Sequence, residues 1–285
     1  MNEIRLRLIE SDNGDWSTQF ISWNAGKDTY KNIKIVNDDS YTHLALFNDV
    51  YMQTNIPKEN VVGFVTEPNY FERIKKYQSF VIENIKTFYS YKLDELDPIH
   101  FKFGMSYLGP IKPPIDASLP PKTKKMSFLA SNKTYFPGHR FRHILIHHIL
   151  KTNMDIDIYG RGLETLYHDP RIKGTLGYDE KSKAYDDYQF TISIENDFLP
   201  YWVSEKYWDP ILCGCIPLYL GAEKIDEIFS GHSHYILRKD TAFDQIAWIY
   251  NNFDSIKDDK SAIFSQSIIK KTHNMPEFIW QHFNH

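Results

Sequence analysis

Apolar residues along this chain fall in short runs closed by turn formers, and the runs alternate with stretches of helical period. In the first half, Ile33-Lys34-Ile35-Val36, His43-Leu44-Ala45-Leu46-Phe47 and Asn60-Val61-Val62-Gly63-Phe64-Val65-Thr66 read as buried strands. Residues 70–76 have helical character, and Lys86-Thr87-Phe88-Tyr89-Ser90-Tyr91 reads as another strand. The second half repeats this grammar. A strand at 126–130 and a turn at Ser131-Asn132 precede a helix over about 138–151, with Phe141, Ile144, Leu145, Ile149 and Leu150 on its apolar side. Then come a strand at 156–159, a turn at Gly160-Arg161-Gly162, a strand at 190–194, a helix over about 204–213 and a strand at 216–220. Alternating strands and helices predict an α/β protein built on mainly parallel sheets.

One break interrupts the pattern. Residues 109–125 read Gly-Pro-Ile-Lys-Pro-Pro-Ile-Asp-Ala-Ser-Leu-Pro-Pro-Lys-Thr-Lys-Lys and hold five of the chain's 14 prolines. Proline lacks an amide donor and restricts the residue before it, so neither a helix nor a central strand can run through this stretch. The expected organisation is a Rossmann-like domain at 1–109, a linker at 110–124 and a second Rossmann-like domain at 125–260. A length of 285 residues suits one large domain or two compact ones.

Composition narrows the classes. Hydrophobic residues at 42% and charged residues at 25% exclude disorder and coiled coil. Six Trp, 19 Tyr and 19 Phe make the chain rich in aromatics, which suits a groove that takes flat or ring-shaped ligands. Thirty-three basic against 37 acidic residues leave a net charge of −4, so no global cationic field recruits nucleic acid, and any anion site must be local. No apolar run approaches the roughly 18 residues of a membrane span, and the first ten residues lack a signal-like core; a cytoplasmic protein is expected. The two cysteines, Cys213 and Cys215, read as small core residues.

In open α/β sheets, ligands sit beyond the carboxyl ends of strands, where helix N-termini present free amides. Three such ends carry polar residues here: Ser131-Asn132 with Arg140 and Arg142 following, Gly160-Arg161-Gly162, and Glu195-Asn196 running on to Tyr201-Trp202-Val203-Ser204-Glu205-Lys206. A cation at each of three neighbouring ends would neutralise a diphosphate without a metal, as in a nucleotide-sugar site. The competing reading makes Ser204 an N-cap, Glu205 and Lys206 solvated first-turn residues, and Arg161 an ordinary turn residue.

The stretch Ile194-Glu195-Asn196, Tyr201-Trp202-Val203-Ser204-Glu205-Lys206 and Asp209, followed by Gly214-Cys215-Ile216-Pro217-Leu218-Tyr219-Leu220-Gly221, resembles the donor-binding signature of glycosyltransferase family 10, the α1,3/α1,4-fucosyltransferases. Tyr159-Gly160-Arg161, Ser131-Asn132 and Gly63-Phe64-Val65-Thr66-Glu67-Pro68 are similar to further elements of that family. Departures are Asp197 in place of Ser or Thr, the bulky Pro200-Tyr201-Trp202, and Thr66 before Glu67. The resemblance implies a GT-B fold, two Rossmann-like domains facing a central cleft, with GDP-fucose in the second domain and transfer with inversion to an oligosaccharide or glycoconjugate acceptor. It implies that Lys206 and Arg161 hold the diphosphate, that Glu205 meets the ribose, and that Asn196, Tyr201, Val203 and Ser204 line the pocket. Ser131, Asn132, Arg140 and Glu195 complete the candidate donor set, and Glu67 is the implied general base. No cofactor is expected beyond the donor, and a divalent cation is at most stimulatory. The tail at 261–285, with Ile268, Ile269, Phe278, Ile279, Trp280 and Phe283, is then expected to be helical and to pack back toward the first domain; peripheral membrane contact is its competing reading.

Two other signals point to less. Asp155-Ile156-Asp157 has a metal-binding form, but Met154, Ile156 and Ile158 alternate with the acids, so a half-buried strand with its aspartates in solvent is the expectation. His139, His143 and His147 recur at helical spacing, with His148 adjacent, and lack the glutamate of a zinc helix; a polar face beside an anion is expected.

Overall fold

The computed structural model describes residues 2–11, 14–24, 26–104, 121–228, 234–256 and 275–285. The chain divides into two compact units, Met1–Leu108 with Thr272–His285, and Gly109–Lys271. Most of the proline-rich stretch, and the tail up to residue 274, lie outside the described residues.

In the first unit, strands β1 (Ile4–Glu10), β2 (Gly14–Asp15), β3 (Thr29–Tyr30), β4 (Ile33–Ile35), β5 (His43–Phe47), β6 (Val61–Phe64), β7 (Thr87–Ser90) and β8 (Phe101–Phe103) form one sheet. Its order is β3-β4-β1-β5-β6-β7-β8, with β2 on β1. The strands from β4 to β8 along this order run parallel. Helices α1 (Ser17–Trp23) and α2 (Phe71–Asn84) accompany it. The central strand β1, Ile-Arg-Leu-Arg-Leu-Ile-Glu, alternates apolar and charged residues from Ile4 to Leu8, and burial alternates along the whole strand, so that Glu10 ends it buried and Ile9 half-buried. On α2, Phe71, Ile74, Tyr77 and Val81 are buried at helical spacing.

The second unit is a doubly wound sheet. Strands β9 (Lys124–Ser131), β10 (Ile156–Arg161), β11 (Ile172–Gly174), β12 (Tyr188–Ile194), β13 (Ile216–Leu220) and β14 (Tyr235–Ile236) lie in the order β11-β10-β9-β12-β13-β14. All of its pairs are parallel. The chain starts in the middle, builds one flank, then returns to build the other, so β9 and β12 flank the point where the winding reverses. Helices α3 (Pro137–Leu150), α4 (Glu205–Leu212), α5 (Ile225–Ile228), α6 (Ala242–Asn251) and α7 (Phe253–Ile256) accompany the strands. Phe128, Phe190, Ile158, Ile192 and Leu218 fill the core, and Cys213 and Cys215 are both buried.

Three expectations change. On α3 the buried apolar residues are Phe141, Leu145, Ile146 and Ile149, while Ile144 is exposed; the helix is rotated so that Ile146 takes the inward place. Asp157 is not in solvent. The parallel sheet is covered on both faces, and Asp157 is buried against Lys124 (2.9 Å), Lys173 (3.0 Å) and the Tyr188 hydroxyl (2.6 Å). The histidines do not share one polar face. His139 is buried, and its Nδ1 accepts the Phe136 amide at the start of α3; His143 meets the Tyr167 hydroxyl, and His148 packs on Phe243.

The last helix, α8 (Met275–Asn284), belongs to the first unit and places Met275 and Ile279 in its core. Glu277 pairs with Lys31, and the Trp280 indole donates to Asn32 Oδ1 at 2.7 Å. No helix among the described residues is long and apolar enough to cross a membrane. Burial and the nearby His43 push the imidazole of His282, on α8, down to about 4. Because the unfolded chain takes up this proton near its ordinary pKa of 6.5, the first unit should lose stability as pH falls from about 6.5 to 4, by roughly 2 kcal/mol. Urea unfolding of wild type and His282→Gln across that range checks this; the variant should show the flatter profile.

Candidate functional site

The residues singled out in the second half converge at the carboxyl ends of three adjacent strands, β10, β9 and β12. Arg161 and Ser131 are register partners, and the Asn132 amide donates to the Arg161 carbonyl at 3.0 Å. Gly162 turns the chain away from β10 with φ +74°, a conformation that favours glycine. A Cβ there would lie 2.3 Å from the side-chain Nδ2 of Asn132, so the two turns pack tightly. Arg161 is exposed, and among the described residues its guanidinium makes no hydrogen bond or ion pair.

β12 delivers Glu195, which is fully buried. Its carboxylate accepts the Ser204 amide (2.8 Å), the Ser204 hydroxyl (2.6 Å) and the Tyr219 hydroxyl (3.3 Å). Burial pushes its pKa up, while Lys206 and the Ser204 hydrogen bonds oppose the shift. With its oxygens committed this way, Glu195 ties the start of α4 to the end of β12 and acts through Ser204. Ser204 is the N-cap of α4 and accepts the Lys206 amide at 3.4 Å. The Lys206 ammonium lies 3.1 Å from Ser204 Oγ, 3.0 Å from Glu205 Oε1 and 3.9 Å from Glu195 Oε2. Glu205 stays ionised: burial opposes its charge, but Lys206 and Lys181 hold its carboxyl well below the usual carboxylate range.

The two arginines of α3 take different roles. Arg140 is exposed, and its guanidinium donates to the carbonyls of Thr134 and Tyr135, both at 3.0 Å, closing the loop before the helix. Buried Arg142 is the one that reaches the β12 end, donating to the Ile194 carbonyl and, at 2.8 Å, to Asn196 Oδ1. Burial lowers its pKa only to about 10, so it remains a cation at neutral pH. Asn196 is thereby anchored from within. Tyr201 donates to Glu227 at 3.0 Å, and Val203 is buried beside Ser204. α3 docks so closely that a Cβ on Gly138 would lie 1.8 Å from the Glu195 carbonyl oxygen. Gly138→Ala should therefore cost roughly 3 kcal/mol or more, read as a lower melting temperature.

In the first unit, Glu67 is exposed, immediately before the short 3-10 turn Pro68–Tyr70. Both of its neighbours are fixed. The Thr66 amide donates to Asn48 Oδ1 (2.9 Å), Asn48 Nδ2 donates to Thr66 Oγ1 (2.9 Å) and to Glu10 Oε1 (2.7 Å), and the Tyr91 hydroxyl donates to the Pro68 carbonyl (3.0 Å). The ends of β1, β5 and β6 thus form one buried polar cluster that presents Glu67.

Sequence patterns alone did not assign roles to Asn48, Tyr219 or Lys181. Lys181, from the 3-10 turn Tyr178–Ala184, lies 2.7 Å from Asp209 and 3.5 Å from Glu205.

Residues 119–266 match the family model described as glycosyltransferase family 10 (fucosyltransferase), C-terminal part. A stretch of 84 residues is 33% identical to alpha-(1,3)-fucosyltransferase B of Drosophila melanogaster, covering 27% of this chain and 18% of that protein. Another of 78 residues is 28% identical to GDP-fucose protein O-fucosyltransferase 3 of Danio rerio, covering 27% of this chain and 17% of that protein. The matched stretches thus span under a fifth of these relatives' length. Among solved structures, an α1,3-fucosyltransferase with GDP-fucose aligns with a TM-score of 0.54 at 16% identity, over 91% of this chain and 82% of that one. Anabaena HepE in complex with UDP-glucose aligns with a TM-score of 0.56 at 11% identity, over 85% and 77%. The fold is that of the GT-B glycosyltransferases.

Proposed function

The chain belongs to glycosyltransferase family 10, and from that premise we propose that it is an inverting fucosyltransferase that moves L-fucose from GDP-fucose to a hydroxyl of a glycan, in α1,3 linkage. The observation that carries the donor half is the meeting of exposed Arg161, the Ser131 turn and the Glu195-anchored Ser204-Lys206 helix start at three adjacent strand ends.

In this reading Glu67 takes the proton of the acceptor hydroxyl as its oxygen attacks the anomeric carbon. The bond from that carbon to the diphosphate oxygen breaks, and GDP leaves with the electron pair. Lys206 and Arg161 meet the charge that grows on the diphosphate, so they stabilise the transition state more than the bound donor. Glu205, held ionised beside Lys206, is a ready acceptor for ribose hydroxyls. The charge on the leaving group is met by side chains, so activity should persist in EDTA.

Purified protein incubated with GDP-fucose and a glycan array, read by mass, should add one deoxyhexose to a subset of glycans. Parallel reactions with other nucleotide sugars discriminate the donor. Release of UDP from a UDP-sugar, with no turnover of GDP-fucose, would overturn the proposal. Binding of glycans without turnover of any donor would make the chain a glycan-binding protein instead.

A further inference from the structure

Asp209 sits one turn after Glu205 on α4, on the same helical face, and is fully buried. Two carboxylates at that spacing repel each other. Lys181 reaches in from the Tyr178–Ala184 turn and touches both, at 2.7 Å from Asp209 Oδ2 and 3.5 Å from Glu205 Oε1, with its side chain only 18% exposed. The other Asp209 oxygen, Oδ1, has no hydrogen-bond partner among the described residues. Around the helix start, the carboxylates of Glu195, Glu205 and Asp209 are matched by three cations, Lys206, Lys181 and Arg142. The balance is thus even with Lys181 present and one negative charge in excess without it. The group that would drift to compensate is Lys206, which already contacts Glu205.

We infer that Lys181 is a positioning residue for the nucleotide diphosphate: it neutralises Asp209 and shares Glu205 with Lys206, so that Lys206 is not the sole cation on this carboxylate pair and can turn to the ligand. The inference rests on the donor reading of this site. Lys181 acts without touching the ligand. Its own charge is secure: burial works against it, but Asp209 and Glu205 more than offset that and hold its pKa high. Burial pushes Asp209 up to about 6 even with Lys181 in place. Loss of Lys181 therefore leaves a carboxylate pair that should take up a proton within the working pH range. The groups facing that pair are Lys206 and Ser204 at the start of α4, Glu195 from β12, Arg142 from α3 and Tyr185 beside the 3-10 turn.

The test is GDP binding by calorimetry to wild type, Lys181→Met, Lys181→Arg and the double variant Lys181→Met/Asp209→Asn, each at pH 8 and pH 6, alongside thermal unfolding. Lys181→Met should bind GDP about tenfold more weakly at pH 8, and most of that loss should vanish at pH 6, where the excess carboxylate is protonated. Wild type should show no such gain on acidification. Lys181→Arg and the double variant, which restore charge balance in opposite ways, should both bind within about threefold of wild type. A packing role moves stability but gives no affinity that recovers at low pH. Lys181→Met with wild-type affinity at pH 8, or a double variant as weak as the single one, would overturn the inference. If Lys181→Met does not fold, the double variant and Lys181→Arg still decide. Wild type that binds UDP and not GDP would sink the guanine donor reading alone, since the diphosphate is common to both; the same comparison is then read with UDP.

Discussion

Lys206→Ala should lower kcat/KM for GDP-fucose by about 10²–10³, the loss typical of removing one preorganised donor to a developing negative charge. Two effects contribute and must be separated. The ammonium is proposed to meet the leaving diphosphate, but it also lies 3.9 Å from buried Glu195 and 3.0 Å from Glu205. Its removal leaves two carboxylates less compensated, so Lys206→Ala should also lower the melting temperature. Arg161→Ala isolates the catalytic part. Arg161 is exposed and makes no polar contact among the described residues, so its truncation should leave stability unchanged. A fall of about 10² in kcat/KM at wild-type melting temperature is the expected result for Arg161→Ala. Wild-type turnover by both variants would refute the diphosphate assignment for this pair.

Parallel strands buried on both faces appear in sequence as dense apolar runs, and those at 43–47, 190–194 and 216–220 match β5, β12 and β13 closely. The central strand β1 carries no such run, because Arg5 and Arg7 interrupt its apolar residues. The short edge strands β3, β11 and β14 have too few residues to carry a period. At the candidate site, motif-bearing residues were legible because their chemistry is unusual at a strand end. The partners that hold them were not. Lys181 stands in the polar run Asp179-Glu180-Lys181-Ser182-Lys183, which reads as a solvated turn, and only the tertiary fold brings it to Glu205. Arg140 and Arg142 are equivalent in sequence terms. Residues two positions apart on a helix differ by about 200° in direction, and that rotation sends Arg140 to the loop carbonyls and Arg142 to Asn196.

Glu67→Gln should cut kcat by about 10²–10⁴ while leaving the KM for GDP-fucose and the affinity for GDP near wild type. The split follows from where the residue stands. Glu67 belongs to the first unit, the proposed donor residues to the second, and the amide is nearly isosteric with the carboxylate, so the substitution removes the proton acceptor while keeping the shape of the side chain. Thr66→Val gives a graded companion. It keeps Glu67 but deletes the hydroxyl that bonds Asn48 at 2.9 Å, loosening the cluster through which β1, β5 and β6 present the carboxylate. A base misplaced by a fraction of an ångström should lose about tenfold in kcat, again without a change in donor KM. Equal losses in kcat for Glu67→Gln and in GDP affinity would instead mark Glu67 as part of the donor pocket. Full activity in Glu67→Gln would move the base elsewhere. With Glu67 as the base, acceptor binding should survive in Glu67→Gln, so glycan retention on the array with no transfer of deoxyhexose is the decisive pattern.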